Sequence, residues 1–454
     1  MRLPITRKKI SLSFAIIFIA ITFSISLTAQ DVSGKKFSLI SAQEYAIQHN
    51  YEVQNSNFDI KAAKKKLREI TASGLPQISG SVDYNNFLDI PTQLIPGEIF
   101  GGELGSSIPV QFGKQHNATV GLSVSQLIFN GSYFVGLQAS KIYLKFAEEN
   151  LERSKIDVKK TVTQTYYLVL VAENSRNILQ SSLDNLNKIL YEVQEYFNEG
   201  FVEETDVKQL QISVTQLKNN INMIEEQINF SYMLLKFQMG IDLEQNIALT
   251  ENLETILLQV NIPQLMEEEF NLNQNISYRM MTTQERIAEL SFKNEKSKFL
   301  PTVSGFVSYQ KNAQRDEFNL HENDGDWFTT TVTGLKLSLP IFNSGSKYFK
   351  IQQSKIALKQ AQLNKQKVEQ GLQLEYSKAE IALSSAFENY QSSKDNMQLS
   401  KEVYDITLEK FSEGISSSLE LTQIHNQYLR SQSDYITAMS ELLNAKIQFD
   451  SLFN

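Results

Sequence analysis

Histidine is the side chain that most readily combines metal affinity with titration near neutrality. His49, His116, His321 and His425 are the four in this chain, and they lie far apart. A catalytic zinc needs three or four convergent ligands, so this spacing argues against one. Cysteine is absent, which removes disulfides, thiolate metal sites, cysteine nucleophiles and lipid attachment at an N-terminal cysteine. No glycine-rich phosphate loop or nucleophile elbow is present, and the scattered Asp and Glu read as ordinary polar helix faces. The residue types therefore point away from an enzyme and away from any cofactor. Lys64, Lys65 and Lys66 read as a solvated helix face. The acidic stretch from Asp316 to Asp326 reads as a solvated loop, with divalent-cation binding as its alternative.

Two short segments remain in which glycine, hydroxyl and carboxylate residues gather. The first runs from Tyr196 through Phe197, Gly200, Phe201, Val202, Thr205 and Asp206 to Val207. The second runs from Phe411 through Gly414, Ile415, Ser416, Ser417, Ser418 and Glu420 to Leu421. A helix end favours a left-handed residue, which glycine adopts cheaply. Thr205 and either Ser417 or Ser418 can cap the helix that follows. Plain capping explains both segments locally, and any further role depends on what they terminate.

They terminate long helices. From Ser132 to Phe197 and from Ser346 to Phe411 there is no proline and almost no glycine, and at ~1.5 Å per residue each reaches about 100 Å. Leu183, Leu186, Leu190, Val193 and Phe197 form an apolar stripe stepping by three and four, and Leu421, Ile424 and Tyr428 begin another. Helices of this length without a globular core pack side by side in coiled-coil fashion.

The two helical stretches belong to a tandem repeat. Leu75-Pro76-Gln77-Ile78-Ser79-Gly80 is echoed by Leu300-Pro301-Thr302-Val303-Ser304-Gly305. Ile128-Phe129-Asn130 returns as Ile341-Phe342-Asn343. Ser140-Lys141-Ile142 matches Ser354-Lys355-Ile356, and Phe197-Asn198-Glu199-Gly200 matches Phe411-Ser412-Glu413-Gly414, both at an offset of 214 residues. Each copy reads helix (about 40–73 and 265–298), Leu-Pro, two alternating strands, a long helix, a turn and a shorter helix.

The strands alternate at period two. Ile78, Gly80, Val82 and Tyr84 oppose Ser79, Ser81 and Asp83; Val120, Leu122 and Val124 oppose Gly121, Ser123 and Ser125. Val303, Gly305, Val307 and Tyr309, then Leu335, Leu337 and Leu339, repeat the pattern. About ten such residues, tilted, span a bilayer. Phe129, Tyr133, Phe342, Tyr348 and Phe349 flank the strands on the helix side, and Tyr84, Phe87, Tyr309, Trp327 and Phe328 on the loop side, like two aromatic girdles. A soluble sheet packed on helices would alternate in the same way, but the long connection from Leu88 to Asn117 reads as an external loop. Four strands cannot close a membrane barrel, because open edges in hydrocarbon leave backbone groups unsatisfied. Spanning strands therefore require several copies of the chain; physics alone leaves dimer, trimer and tetramer open.

Residues 1–29 read as a secretory signal: Arg2, Arg7, Lys8 and Lys9, an apolar stretch from Ile10 to Leu27, and Ala29 as the small residue at its end. A retained anchor is the competing reading. Removal of this segment takes the formal net charge from −8 to −12, a poor balance for binding nucleic acid.

This order of signal, duplicated helix–strand–strand–helix–helix unit and glycine turns resembles the TolC family of outer-membrane efflux proteins, over nearly the whole chain from about residue 38. The resemblance implies a mixed α+β membrane protein, a long antiparallel α-helical barrel plus a transmembrane β-barrel of four strands per chain. It implies a first repeat over 30–263, with strands about 77–88 and 118–129, a long helix pair 132–240 and an equatorial segment 240–263. The second repeat covers 264–454, with strands about 302–312 and 328–342 and a helix pair 346–452. It further implies a homotrimer in outer-membrane lipid. A periplasmic adaptor would dock at the tips (Gly200, Phe201, Val202, Gly414, Ile415, Ser416), served by an inner-membrane pump of the resistance-nodulation or ATP-driven type. Thr205 and Asp206 match the family's gate pattern; Glu420 holds the acidic position of the second tip, Ser416 replaces a basic residue, Gln423 replaces an acidic one, and Phe411 keeps the aromatic position without a hydroxyl. A structural or adhesive coiled-coil rod is the alternative, needing neither barrel strands nor a periplasmic partner.

Overall fold

Helix-forming sequence without proline after Asn130 and after Gly345 builds two helices of 68 and 67 residues that run from the sheet to the opposite end of the molecule. The computed structural model describes residues 35–259, 262–267, 269–319 and 326–453. The expected signal peptide, His321 and part of the acidic loop lie outside the described residues. In chain order the elements are β1 (Lys35–Phe37), α1 (Leu39–His49), α2 (Tyr51–Ser73), β2 (Gln77–Asn86), β3 (Thr92–Pro96), β4 (Ser107–Gln111) and β5 (His116–Asn130). Then follow α3 (Gly131–Asn198), α4 (Glu204–Met239), β6 (Ile247–Leu249), α5 (Leu253–Gln259), α6 (Ile262–Met266) and α7 (Ile276–Ser297). The chain ends with β7 (Thr302–Arg315), β8 (Phe328–Ser338), α8 (Ser346–Ser412) and α9 (Ser418–Asp450).

Four expectations are corrected. The helix read over 265–298 is α7 only from Ile276, where the Asn275 side chain accepts from the Ser277 and Tyr278 N–H groups and so starts the helix. The helix read over 40–73 is two helices broken at Asn50, whose side chain accepts from the Glu52 and Val53 N–H groups and whose amide donates to the Gln238 carbonyl at 2.7 Å. An asparagine that satisfies both a helix start and a distant carbonyl makes a bend cheap. The strand read over 328–342 ends at Ser338, just before Pro340, which has no N–H to give a ladder. The connection from Leu88 to Asn117 contains a hairpin, with Thr92 paired to Gln111 and Pro96 to Ser107. Its turn is closed by the Gly97 N–H on the Ser106 carbonyl at 2.7 Å.

The main sheet has the order β2-β5-β7-β8 and is antiparallel throughout. Ile78 pairs with Val124, Val124 with Val307, and Val307 with Thr333. The alternation of side chains then gathers the apolar residues on one face, while Ser79 and Ser123 join hydroxyls at 2.7 Å on the other. A bulge between Leu127 and Phe129 bends β5 as it enters α3. Among the described residues the outer sides of β2 and β8 have no partner strand.

Helices repeat the order of the strands they continue. α2 packs on α3, α3 on α7 and α7 on α8. Further from the sheet, α4 packs on α3, α9 on α8, and α3 meets α9. Midway, β1 and β6 pair in parallel, and Phe37 with α1 covers α3, where the buried Tyr166 donates to the Phe37 carbonyl at 3.1 Å. A second apolar core, with Leu186, Val193, Leu210 and Leu421, fills the end opposite the sheet. Among the described residues no helix is long and apolar enough to cross a membrane.

Candidate functional site

The end furthest from the sheet holds both glycine turns. Gly200 has φ +80° and Gly414 φ +69°, and a Cβ at either would meet nothing within 4 Å. Their glycines therefore answer to backbone conformation and not to crowding. The Phe201 N–H returns to the Tyr196 carbonyl and the Ile415 N–H to the Lys410 carbonyl, each at 2.8 Å. These bonds close the two helix ends in the same way.

The helices that leave the turns start differently. Thr205 is not the cap of α4: the cap is Glu203, whose N–H donates to Asp206 Oδ2 at 3.0 Å, while the Thr205 hydroxyl donates to Glu203 Oε2 at 3.2 Å. A carboxylate here also meets the positive end of the helix dipole. Ser417 caps α9 by accepting from the Glu420 N–H at 3.2 Å. Ser416 donates to Glu420 Oε2 at 2.7 Å. The buried Ser418 hydroxyl donates to Asp206 Oδ1, joining the two turns. Both Asp206 oxygens are thus engaged within the chain, while Glu420 and Gln423 lie on the surface. Phe411 is buried, edge-on to Tyr196 at 6.5 Å between ring centroids. Phe201 and Ile415 project outward, 74% and 75% exposed, with Val202 half-buried beside Phe201.

At the other end the apolar face of the sheet is open. Ile78, Leu122, Leu335 and Leu337 are all exposed on it. A water-soluble monomer rarely leaves so large an apolar surface uncovered.

A family model described as outer membrane efflux protein matches residues 43–240 and 272–454. The chain belongs to the outer membrane efflux protein family. Among solved structures, the Campylobacter jejuni CmeC outer membrane channel is 19% identical with a TM-score of 0.69, over 91% of this chain and 85% of that one. CusC is 15% identical with a TM-score of 0.74, over 92% of each chain. VceC from Vibrio cholerae is 14% identical with a TM-score of 0.70, over 92% of this chain and 96% of that one. At these identities the likeness shows the fold. Among curated proteins none matches the chain. This efflux protein is a channel of the outer membrane that extends into the periplasm, and it is not an enzyme.

The efflux protein's tip also buries a titratable group whose surroundings its sequence position does not announce. His425 is 2% exposed on α9, with its ring 5.2 Å from that of Tyr404 on α8. Neither ring nitrogen, nor the Tyr404 hydroxyl, nor the Thr422 hydroxyl has a hydrogen-bond partner. Burial lowers the His425 pKa to about 4. Burial, and then the nearby Asp405 carboxylate, push the Tyr404 hydroxyl up to about 12. The signal was present: His425 falls four residues after Leu421, on the stripe that continues to Tyr428. Among the described residues no cluster of His, Cys, Asp or Glu could hold a metal ion.

Proposed function

We propose that this efflux protein is a homotrimeric, passive exit duct. Three copies would join β8 of one chain to β2 of the next and close a twelve-stranded barrel in the outer membrane. The carrying observation is the four-stranded sheet with two unpartnered edges and an exposed apolar face. Each unpaired backbone group in hydrocarbon costs several kcal/mol, so only closure makes such a sheet a viable span. The same closure would bring α8 of one chain beside α2 and α4 of its neighbour. It would cover Ile356, Leu363 and Leu374 of α8 and Ile212, Met223 and Phe230 of α4, all exposed in the single chain.

The helices would form a periplasmic tube ending at the two glycine turns. Exposed Phe201 and Ile415, set by Gly200 and Gly414 and flanked by Val202 and Ser416, offer apolar knobs to a periplasmic adaptor. Behind them the Asp206–Ser418 and Glu420–Ser416 bonds support a gate in which each helix pair is latched within its own chain. Transport needs no chemistry or cofactor from this protein; an inner-membrane pump, of the resistance-nodulation or ATP-driven type, would supply the energy.

The test is purification from outer membranes, electrophoresis with and without heating, and recording in planar bilayers. A heat-sensitive trimer that forms discrete conducting pores is the expected result; a heat-insensitive monomer without conductance would overturn the reading. Crosslinking in intact cells then identifies the pump class from what co-purifies.

A further inference from the structure

About 40 Å along α3 from the sheet, counting ~1.5 Å per residue, the two repeats frame an open cavity of about 960 Å³. Its walls come from α1, α3, α7, α9 and the short turn that follows α9. Five cations line it, Lys155, Lys159, Lys160, Arg279 and Lys446, against the two carboxylates Glu152 and Asp450. This concentration of positive charge stands in a chain whose formal net charge is −8.

The carboxylates are already engaged. Both guanidinium nitrogens of Arg279 grip Glu152, at 2.7 and 2.9 Å, and Lys446 meets Asp450 at 2.5 Å. Lys160 donates only to neutral acceptors, Gln448 Oε1 at 2.6 Å and Ser451 Oγ at 3.3 Å. Among the described residues no carboxylate forms an ion pair with Lys155, Lys159 or Lys160. Lys155 and Lys159 stand four residues apart on one helix face, a spacing at which like charges repel and destabilise the helix. Folding has therefore gathered three uncompensated ammonium groups at the mouth of a cavity as large as those that hold small ligands.

We propose that this cavity is a binding site for a small oligoanion, a ligand carrying two or more phosphate or carboxylate groups. An anion there would compensate Lys155, Lys159 and Lys160 together. It would clamp α1 and α3 of the first repeat to α7 and α9 of the second. None of the site's lining residues belongs to α2, α4 or α8, the helices that the proposed closure would bring together. It rests on the single chain and does not depend on the duct reading.

The experiment is thermal unfolding of the purified full chain in detergent, titrated with pyrophosphate or with citrate, each against sodium chloride at matched ionic strength. A ligand that binds only the folded state raises Tm by mass action. The expected result is a saturable rise beyond that in chloride, with half-saturation shifted at least tenfold in the double variant Lys155→Ala/Lys159→Ala. That variant should unfold no earlier than the wild type without ligand, because it loses only a repulsion. If it fails to fold, Lys155→Gln/Lys159→Gln keeps the polar stems and serves instead. A stronger response to pyrophosphate assigns a phosphate-bearing ligand, and a stronger response to citrate a carboxylate-bearing one. A rise that follows ionic strength alone, or one unchanged in the double variant, overturns the proposal.

Discussion

Burying an imidazole with neither nitrogen satisfied costs more when it is charged than when it is neutral. For His425 the folded pKa is about 4 against an ordinary 6.5. The neutral form is the one the fold accepts, so the tip's stability is intact above pH 6.5 and is lost as pH falls towards 4. The full difference amounts to roughly 3 kcal/mol. The ring packs against Tyr404 on α8, which in turn stacks on Tyr428 and feels the Asp405 carboxylate. The opening free energy of α9 amides, from hydrogen exchange corrected for the intrinsic exchange rate at each pH, should fall between pH 7 and pH 4.5 in the wild type and stay nearly constant in His425→Leu. An equal fall in both would place the acid sensitivity elsewhere. Two glycines give a second contrast. Gly200 has a positive φ and open space, so Gly200→Ala should cost only the left-handed strain, about 1 kcal/mol. Gly240 has φ +70°, and a Cβ there would stand 2.4 Å from the His49 carbonyl oxygen. Gly240→Ala must displace backbone, and its loss in denaturant titration should exceed that of Gly200→Ala by at least roughly twofold.

Among the elements, the sheet shows how one residue step decides a side chain's solvent. Leu122 and Ser123 are neighbours in β5, yet Leu122 lies on the apolar face with Tyr309 and Ser123 on the polar face with Ser79. With the apolar face against lipid, Leu122→Arg should cost about 2–4 kcal/mol of membrane-folded stability. In the proposed barrel Ser123→Arg would face the interior, and it should be tolerated and alter conductance instead. Urea titration in lipid vesicles separates the two; equal losses would mean that the faces are not lipid and lumen. α8 carries the same lesson in helical form. Its Ile356, Leu363 and Leu374 are exposed in the single chain, and in the proposed assembly a second copy would cover them.

For the whole molecule, the tips decide what passes if the duct is trimeric. Exposed Glu420 and the hydrogen-bonded Asp206 sit at the end furthest from the sheet, so in the proposed duct Asp206→Asn combined with Glu420→Gln should lower the preference for cations in bilayer recordings. Unchanged reversal potentials would mean that these two carboxylates do not set the ion preference. Asp206 has a second role here, because its bond to Ser418 joins positions 212 residues apart. Loss of that bond should also raise the open fraction.

Much of this architecture is legible in local pattern. The helix lengths follow from the absence of proline, and the strand faces from the alternation of Ile78, Val82 and Leu122 with serines. Both glycine turns follow from the stripes they interrupt. Such features depend on neighbours a few residues away, and a sequence carries that information directly. Asn50 shows the limit: its helix break is stabilised by the Gln238 carbonyl, which nothing near residue 50 announces. The Ser418–Asp206 latch, the partnerless burial of His425 and the meeting of Lys155 and Lys159 with Arg279 and Lys446 are of the same kind. They exist because helices remote in sequence pack at one depth and one rotation. Sequence by itself determined which elements form, in what order and with which faces apolar. Only the tertiary structure decided which charges meet, because Coulomb and hydrogen-bond energies depend on distances that the packing of remote segments sets.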